Sequence, residues 1–275
     1  MRAHIFDGRK FADLRISLAK ERIKDNPELS KGKLRVILIG DNQASIVYIK
    51  LKSALFSSLG LSFEDIYFQT NDHIQKIVDY INESNRDQGV KAVMVQLPFP
   101  ESWTRRSKKL VLKAISPRKD VDCLTPENLK LVSKDEGNIL PATVKAVKLT
   151  LKSAGVDKIT LAKLNTCVLG KSDLVGRPLA RLLSSMGARV VTCDSKTKDI
   201  PERTRKSDII ISATGVPELI KKDMIKPGAI VIDVGEPKGD VDFNFAKNIA
   251  SFITPVPGGI GPVTVACLLE NFLSL

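Results

Sequence analysis

Histidine is nearly missing from this 275-residue chain, His4 and His73 being the only two. The four cysteines, Cys123, Cys167, Cys193 and Cys267, are scattered with no C-x-x-C pair. A zinc cluster or a Ser-His-Asp triad therefore has little material, and no metal site is expected. Cys167 and Cys193 fall in strand-like runs, where a free thiol acts as a small hydrophobe. No apolar run approaches the roughly 18–20 residues that cross a bilayer, so no membrane partner is expected. The opening "MRAHIFDGRK" has no apolar stretch of the signal-peptide kind, which points to the cytoplasm. Acidic residues are also short: 43 Lys and Arg against 31 Asp and Glu leave a net charge of +12.

That excess of positive charge calls for anionic partners. Nucleic acid is one class, and "WTRRSKKLVLK" sets an aromatic beside a basic run. However, Leu110, Leu112 and Ile115 interleave with those bases, as on a helix with one buried and one solvated face. The other bases are spread along the chain, so nucleic acid is not expected, and small phosphorylated or carboxylated ligands suit the same field.

Strand-like and helix-like segments alternate from end to end. β-Branched runs lie at 34–40, 64–68, 91–97, 165–170, 188–193, 207–213, 228–235 and 251–256. Helical spacing lies between them, as in "ASIVYIKLKSALFSSLG" and "RPLARLLSSMG". The pattern predicts parallel sheets covered by helices, an α/β fold. The polar stretch "SKDEGNILPAT" divides the chain near 135–141 into two domains with a cleft between them.

"VLGKSDLVGRP" (168–178) has the shape of a phosphate-binding turn, but the three glycine places of the dinucleotide fingerprint hold Gly170, Ser172 and Val175. Ser172 adds a hydroxyl, and Gly176 is placed to take over the third glycine's task of close helix packing. The helix opening at Arg177-Pro178 would offer its amides and dipole to a phosphate. At the end of the next strand, Asp194 suits a free ribose 2′-hydroxyl, whereas Lys171, Ser195 and Lys196 suit a 2′-phosphate. The residues leave NAD and NADP both open.

"VYIKLK" sets Tyr48 and Lys52 four apart on one helix face. The tyrosine offers a ring to stack on a heterocycle, and a sheltered lysine can move protons near neutrality. Lys50, in between, reads as solvated. The Tyr-x-x-x-Lys pair of short-chain dehydrogenases follows its glycine loop, whereas this pair precedes it, which excludes that assignment. "VQLPFP" puts Gln96 at a strand's carboxyl end, where open α/β sheets bind ligands. A neutral amide there can bond a lysine without locking it in the charged form. "KDVDCL" supplies Asp120 and Asp122, for gripping an N–H-rich heterocycle or for capping a turn. "PVPGGIGPVT" (255–264) reads as a tight loop where backbone approaches a ligand.

Together and in this order, "GDNQASIVYIKLK", "VQLPFP", "KDVDCLTPEN", "VLGKSDLVGRP", "CDSKT", "VIDVG" and "ITPVPGGIGPVTVACLLEN" closely resemble the bifunctional methylenetetrahydrofolate dehydrogenase/methenyltetrahydrofolate cyclohydrolase family. The resemblance covers essentially the whole chain. It implies an N-terminal αβα catalytic domain and a Rossmann-like nucleotide domain linked by two long helices. Residues 1–140 with the helix 262–275 would bind folate, and 141–261 would bind NAD(P). It further implies a homodimer through the nucleotide domains. The implied reaction is oxidation of 5,10-methylenetetrahydrofolate with NADP, NAD being less favoured, and hydrolysis of the methenyl product to 10-formyltetrahydrofolate.

By the same resemblance Lys52 is the central catalytic residue, Tyr48 stacks on the folate, Gln96 tunes Lys52 and Asp122 grips the pterin. Val95, Leu97, Pro257, Gly258, Gly259 and Gly261 line the folate pocket. Gly170, Lys171, Ser172 and Ser195 hold the cofactor phosphates, and Glu236 contacts the cofactor through backbone. Some positions depart from the family pattern. Cys123 replaces the glycine of Lys-Asp-Val-Asp-Gly, Asp194 replaces a histidine, and Glu236 stands where the family often has Ile. Two rival readings are a shikimate-dehydrogenase-like oxidoreductase and a basic Rossmann-type binding protein without catalysis. The length leaves no room for the formate-activating domain of some relatives.

Overall fold

The computed structural model describes residues 2–134 and 139–275. Residues 135–138, the middle of the expected linker, lie outside the described residues. In chain order the elements begin with β1 (His4–Ile5), α1 (Gly8–Asp25), β2 (Lys33–Ile39), α2 (Gln43–Ser58) and β3 (Ser62–Phe68). They continue with α3 (Ile74–Arg86), β4 (Val90–Gln96), α4 (Arg105–Ala114), α5 (Pro126–Val132), α6 (Ala142–Ser153) and α7 (Lys158–Leu161). The rest are β5 (Asn165–Leu169), α8 (Gly176–Ser185), β6 (Arg189–Cys193), α9 (Ile200–Arg205), β7 (Ile209–Ser212), β8 (Ile230–Asp233), α10 (Phe243–Ala246), β9 (Phe252–Ile253) and α11 (Ile260–Ser274).

All eight strand-like runs form strands, and both sheets are parallel throughout. The chain folds as two compact units, residues 1–15 with 131–267 and residues 16–130 with 268–275. No described helix is long and apolar enough to cross a membrane.

In the 16–130 unit the sheet order is β3-β2-β4. Six of the seven residues of β2 are buried, as a parallel strand covered on both faces requires. Its core packs Ile37, Ile39, Val93 and Val95 against Ile77 and Ile81 of α3. From β2 the chain goes to β3 on one side and then to β4 on the other. The carboxyl end of β2 is thus the switch point where such sheets leave a crevice.

In the other unit the order is β1-β9-β8-β7-β5-β6, and the same reversal occurs at β5, which ends at Leu169, just before Gly170. β1 was not foreseen. It pairs His4 with Phe252 and Ile5 with Ile253, and two residues are too few to show a period.

The basic helix α4 differs from expectation in its phase. Val111 and Ile115, four apart, are the buried pair, while Leu110 is exposed. A helical step of about 100° carries residue 110 off the face shared by 111 and 115.

Candidate active site

The 16–130 unit gathers one set of the expected residues. Asn42 caps α2 by accepting from the Ser45 amide at 2.9 Å, which fixes where the helix starts. Ser45 Oγ then donates to the Leu97 carbonyl at 3.1 Å, tying the first turn of α2 to the end of β4. Two turns along, Lys52 is only 5% exposed. Its Nζ donates to Gln96 Oε1 at 2.7 Å and touches Met94 Sδ at 3.7 Å. Gln96 Nε2 donates to the Leu97 carbonyl at 2.7 Å, so the amide is held at both ends. Tyr48 is half-buried one turn before Lys52, whereas Lys50 is exposed. Val95 is buried and Leu97 half-buried.

The two aspartates of "KDVDCL" divide the alternatives between them. Asp120 is the turn's cap: its carboxylate accepts from the amides of Leu124 (3.1 Å) and Thr125 (2.8 Å) and from Asn128 Nδ2 (3.0 Å). Asp122 is half-buried on the same turn. Cys123 has φ 55°, the left-handed region that glycine enters freely, which accounts for the family's glycine there. Burial pushes the Cys123 thiol up, and the nearby Asp120 and Asp122 carboxylates add to that.

In the other unit, Gly170 has φ 99°, and any Cβ on it would overlap the Ala213 carbonyl. A Cβ on Gly176 would overlap the Gly170 carbonyl, so this glycine does let the helix start press on the loop. Ser172 caps that start. Its Oγ accepts from the amides of Val175 (3.2 Å) and Gly176 (3.3 Å), and its carbonyl accepts from Arg177 N at 3.0 Å. Those three amides are therefore already engaged in the protein, contrary to the expectation that they are open to a phosphate; the Ser172 O–H remains as the donor.

The charges that left the cofactor open meet one another, with Lys171 Nζ 3.2 Å from Asp194 Oδ2. The Thr197 hydroxyl donates to Asp194 Oδ1 at 2.9 Å. That hydrogen bond, with help from Lys171, holds the Asp194 carboxyl below its ordinary range. Ser195 and Lys196 are exposed beside this pair.

Residues 233–236 and 255–261 line one shallow recess, which brings Glu236, Pro257, Gly258, Gly259 and Gly261 together. The tightness of this loop is toward its own chain: a Cβ on Gly8 would overlap the Gly259 carbonyl. No cluster of three or more metal-ligating side chains occurs among the described residues.

Sequence reasoning missed Met94, Ser45 and Gly8. Met94 carried a signal, since it lies two residues before Gln96 and so on the same strand face. Ser45 and Gly8 act by a long-range hydrogen bond and by close packing, for which a single sequence holds no mark.

Two family models match the chain. The tetrahydrofolate dehydrogenase/cyclohydrolase catalytic domain matches residues 6–122, and the NAD(P)-binding domain of the same family matches residues 141–275. The bifunctional protein FolD of Hydrogenobaculum sp. is 42% identical, covering 98% of this chain and 97% of its own. Among solved structures, the Trypanosoma brucei N5,N10-methylenetetrahydrofolate dehydrogenase-cyclohydrolase, complexed with NADP and an inhibitor, is 33% identical. It superposes with a TM-score of 0.92 over 100% of this chain and 97% of that one. Shikimate 5-dehydrogenase from Thermus thermophilus, at 15% identity and a TM-score of 0.53 over 87% of this chain and 93% of that one, shares the fold alone.

Proposed function

The chain belongs to the tetrahydrofolate dehydrogenase/cyclohydrolase family, and on that premise we propose that it oxidises 5,10-methylenetetrahydrofolate with NADP and hydrolyses the methenyl product to 10-formyltetrahydrofolate. The observation that carries the reading is the buried Lys52–Gln96 hydrogen bond of 2.7 Å at the carboxyl end of the β3-β2-β4 sheet. An ammonium on a flexible four-carbon stem is a poor proton carrier unless something aims it. Gln96 Oε1 aims it here, with its own amide anchored on Leu97.

In the hydrolytic step water adds to the electron-poor methenyl carbon. The Lys52 amine takes one proton from that water; as the bond to N5 breaks, the remaining hydroxyl proton passes to N5, and the formyl group stays on N10. Tyr48 stacks on the flat folate, and Asp122 accepts N–H groups of the pterin. Val95 and Leu97 of one unit and Pro257, Gly258, Gly259 and Gly261 of the other are the further residues assigned to folate binding. When bound, NADP supplies the hydride acceptor for the oxidation. Gly170, Lys171, Ser172 and Ser195 hold its phosphates, and Glu236 meets it through backbone. Neutralisation of Asp194 by Lys171, with Ser195 and Lys196 exposed alongside, supports a 2′-phosphate over a free hydroxyl.

The proposal extends to the assignment of 1–140 with 262–275 to folate and of 141–261 to the nucleotide. It includes a cytoplasmic homodimer through the nucleotide domain, the dimer being supported by the position of β6 at the edge of its sheet. The deciding experiment is Lys52→Met. Cyclohydrolase activity should vanish while the variant folds and binds NADP, and retained hydrolysis would refute the assignment.

A further inference from the structure

Asp122 stands on a turn that is held from several sides. At its entry, the Val93 amide of β4 donates to the Lys119 carbonyl at 2.7 Å, and Asp120 pairs with Val93 as a parallel bridge. At its exit, the Asp120 carboxylate holds the amides of Leu124 and Thr125. Cys123 N closes the turn onto the Asp120 carbonyl at 3.3 Å. These bonds fix the two ends of the turn. They do not fix the peptide that joins Val121 to Asp122.

That peptide is held from α11. Asn271 is fully buried, and its Nδ2 donates to the Val121 carbonyl at 3.0 Å, across 150 residues of sequence. Its neighbours Leu268, Leu269, Phe272 and Leu273 are all buried apolar residues. An amide in such a setting is costly unless its bonds are made, and the chain places its donor on the carbonyl directly before Asp122. Because the peptide unit is planar, holding its oxygen fixes the plane from which the Asp122 side chain departs.

We propose that Asn271 is a positioning residue for Asp122: its side-chain amide locks the Val121–Asp122 peptide and so aims the carboxylate that grips the pterin. The inference rests on the reading of Asp122 as a folate ligand. Cys123, left-handed at φ 55°, makes the lock more needful, because a side chain there resists the conformation that glycine would adopt freely.

A double-mutant cycle on the full chain tests it, with Asn271→Leu, Asp122→Asn and the pair, read as KM for methylenetetrahydrofolate, KM for NADP and kcat. Asn271→Leu keeps the branched outline of the side chain, with more bulk, and removes the donor. It should raise the folate KM about tenfold and leave the NADP KM unchanged, and in the Asp122→Asn background it should add nothing. Multiplying effects in the pair, an unchanged folate KM in Asn271→Leu, or an equal rise in the NADP KM would each overturn the link. Were Asp122→Asn alone to leave the folate KM unchanged, the reading of Asp122 would fall and the proposal with it. Should Asn271→Leu fail to fold, Asn271→Ser, smaller and still polar, goes through the same cycle with the same criteria.

Discussion

Lys171 and Asp194 neutralise each other, Nζ lying 3.2 Å from Oδ2, with both side chains about one-third exposed. In the sequence they stand 23 positions apart and argue for opposite cofactors; in the structure they form one local unit of no net charge. The pair sits where the loop after β5 meets the end of β6, since the backbones there run in register, Leu169 opposite Cys193. Removing either partner therefore restores the charge of the other. Lys171→Ala exposes a bare carboxylate and should raise the NADP KM about tenfold while sparing NAD. Asp194→Ala should shift preference further toward NADP. The check is kcat/KM with each cofactor, and equal effects of Lys171→Ala on both would show that the pair does not set the choice.

Gly176 provides a sharper test of the loop. A methyl group there meets the Gly170 carbonyl, which is backbone and cannot swing aside. Gly176→Ala should push α8 away from β5 and cost cofactor affinity by about a hundredfold, on the scale of a lost steric fit plus lost hydrogen bonds. The hydrolytic step, which the proposal assigns to Lys52 in the other unit, should be largely retained when assayed on methenyltetrahydrofolate. Cofactor titration by fluorescence alongside that assay separates the two outcomes.

Much of this was legible beforehand because the signals are periodic or local. Runs such as "LRVILIG" and "SDIIISA" form strands since β-branched side chains suit sheets buried on both faces. Tyr48 and Lys52 share a helix face by spacing alone, and Gln96 reaches Lys52 because strand ends converge on one edge. What stayed hidden depends on contacts far apart in sequence. Cys167 and Cys193 read as scattered, yet their sulfurs lie 3.7 Å apart across β5 and β6. Asn271 looks like one of several polar residues in a mostly apolar helix until the Val121 carbonyl is seen beneath it. Asp233 and Asp240, seven apart with nothing to mark them, prove to be buried together.

Those two aspartates carry the last prediction. Asp233, at the end of β8, accepts from the amides of Gly235 (2.9 Å), Asp240 (3.1 Å) and Val241 (2.9 Å). Asp240 gives one oxygen to Ser212 and Thr214, while its Oδ1 is buried with no hydrogen-bond partner. Three amide bonds favour the charged form of Asp233. Burial outweighs them, with the Asp240 carboxylate adding to it, and the Asp233 carboxyl is pushed up to about 6 from an ordinary 3.8. Between those values the folded protein keeps a proton that the unfolded chain has lost. Stability from this group is thus fully present at low pH and falls as pH rises through the window, by about 3 kcal/mol in all. The carbon resonance of the Asp233 carboxyl, followed by NMR, should titrate with a midpoint near 6. Asp233→Asn cannot ionise, and its amide sets a donor against one of the backbone N–H groups at a pH-independent cost. The wild-type advantage in unfolding free energy over this variant should therefore shrink by about 2.4 kcal/mol between pH 4 and 7. A flat difference, with a carboxyl midpoint near 4, would mean that the three amide bonds win over burial after all.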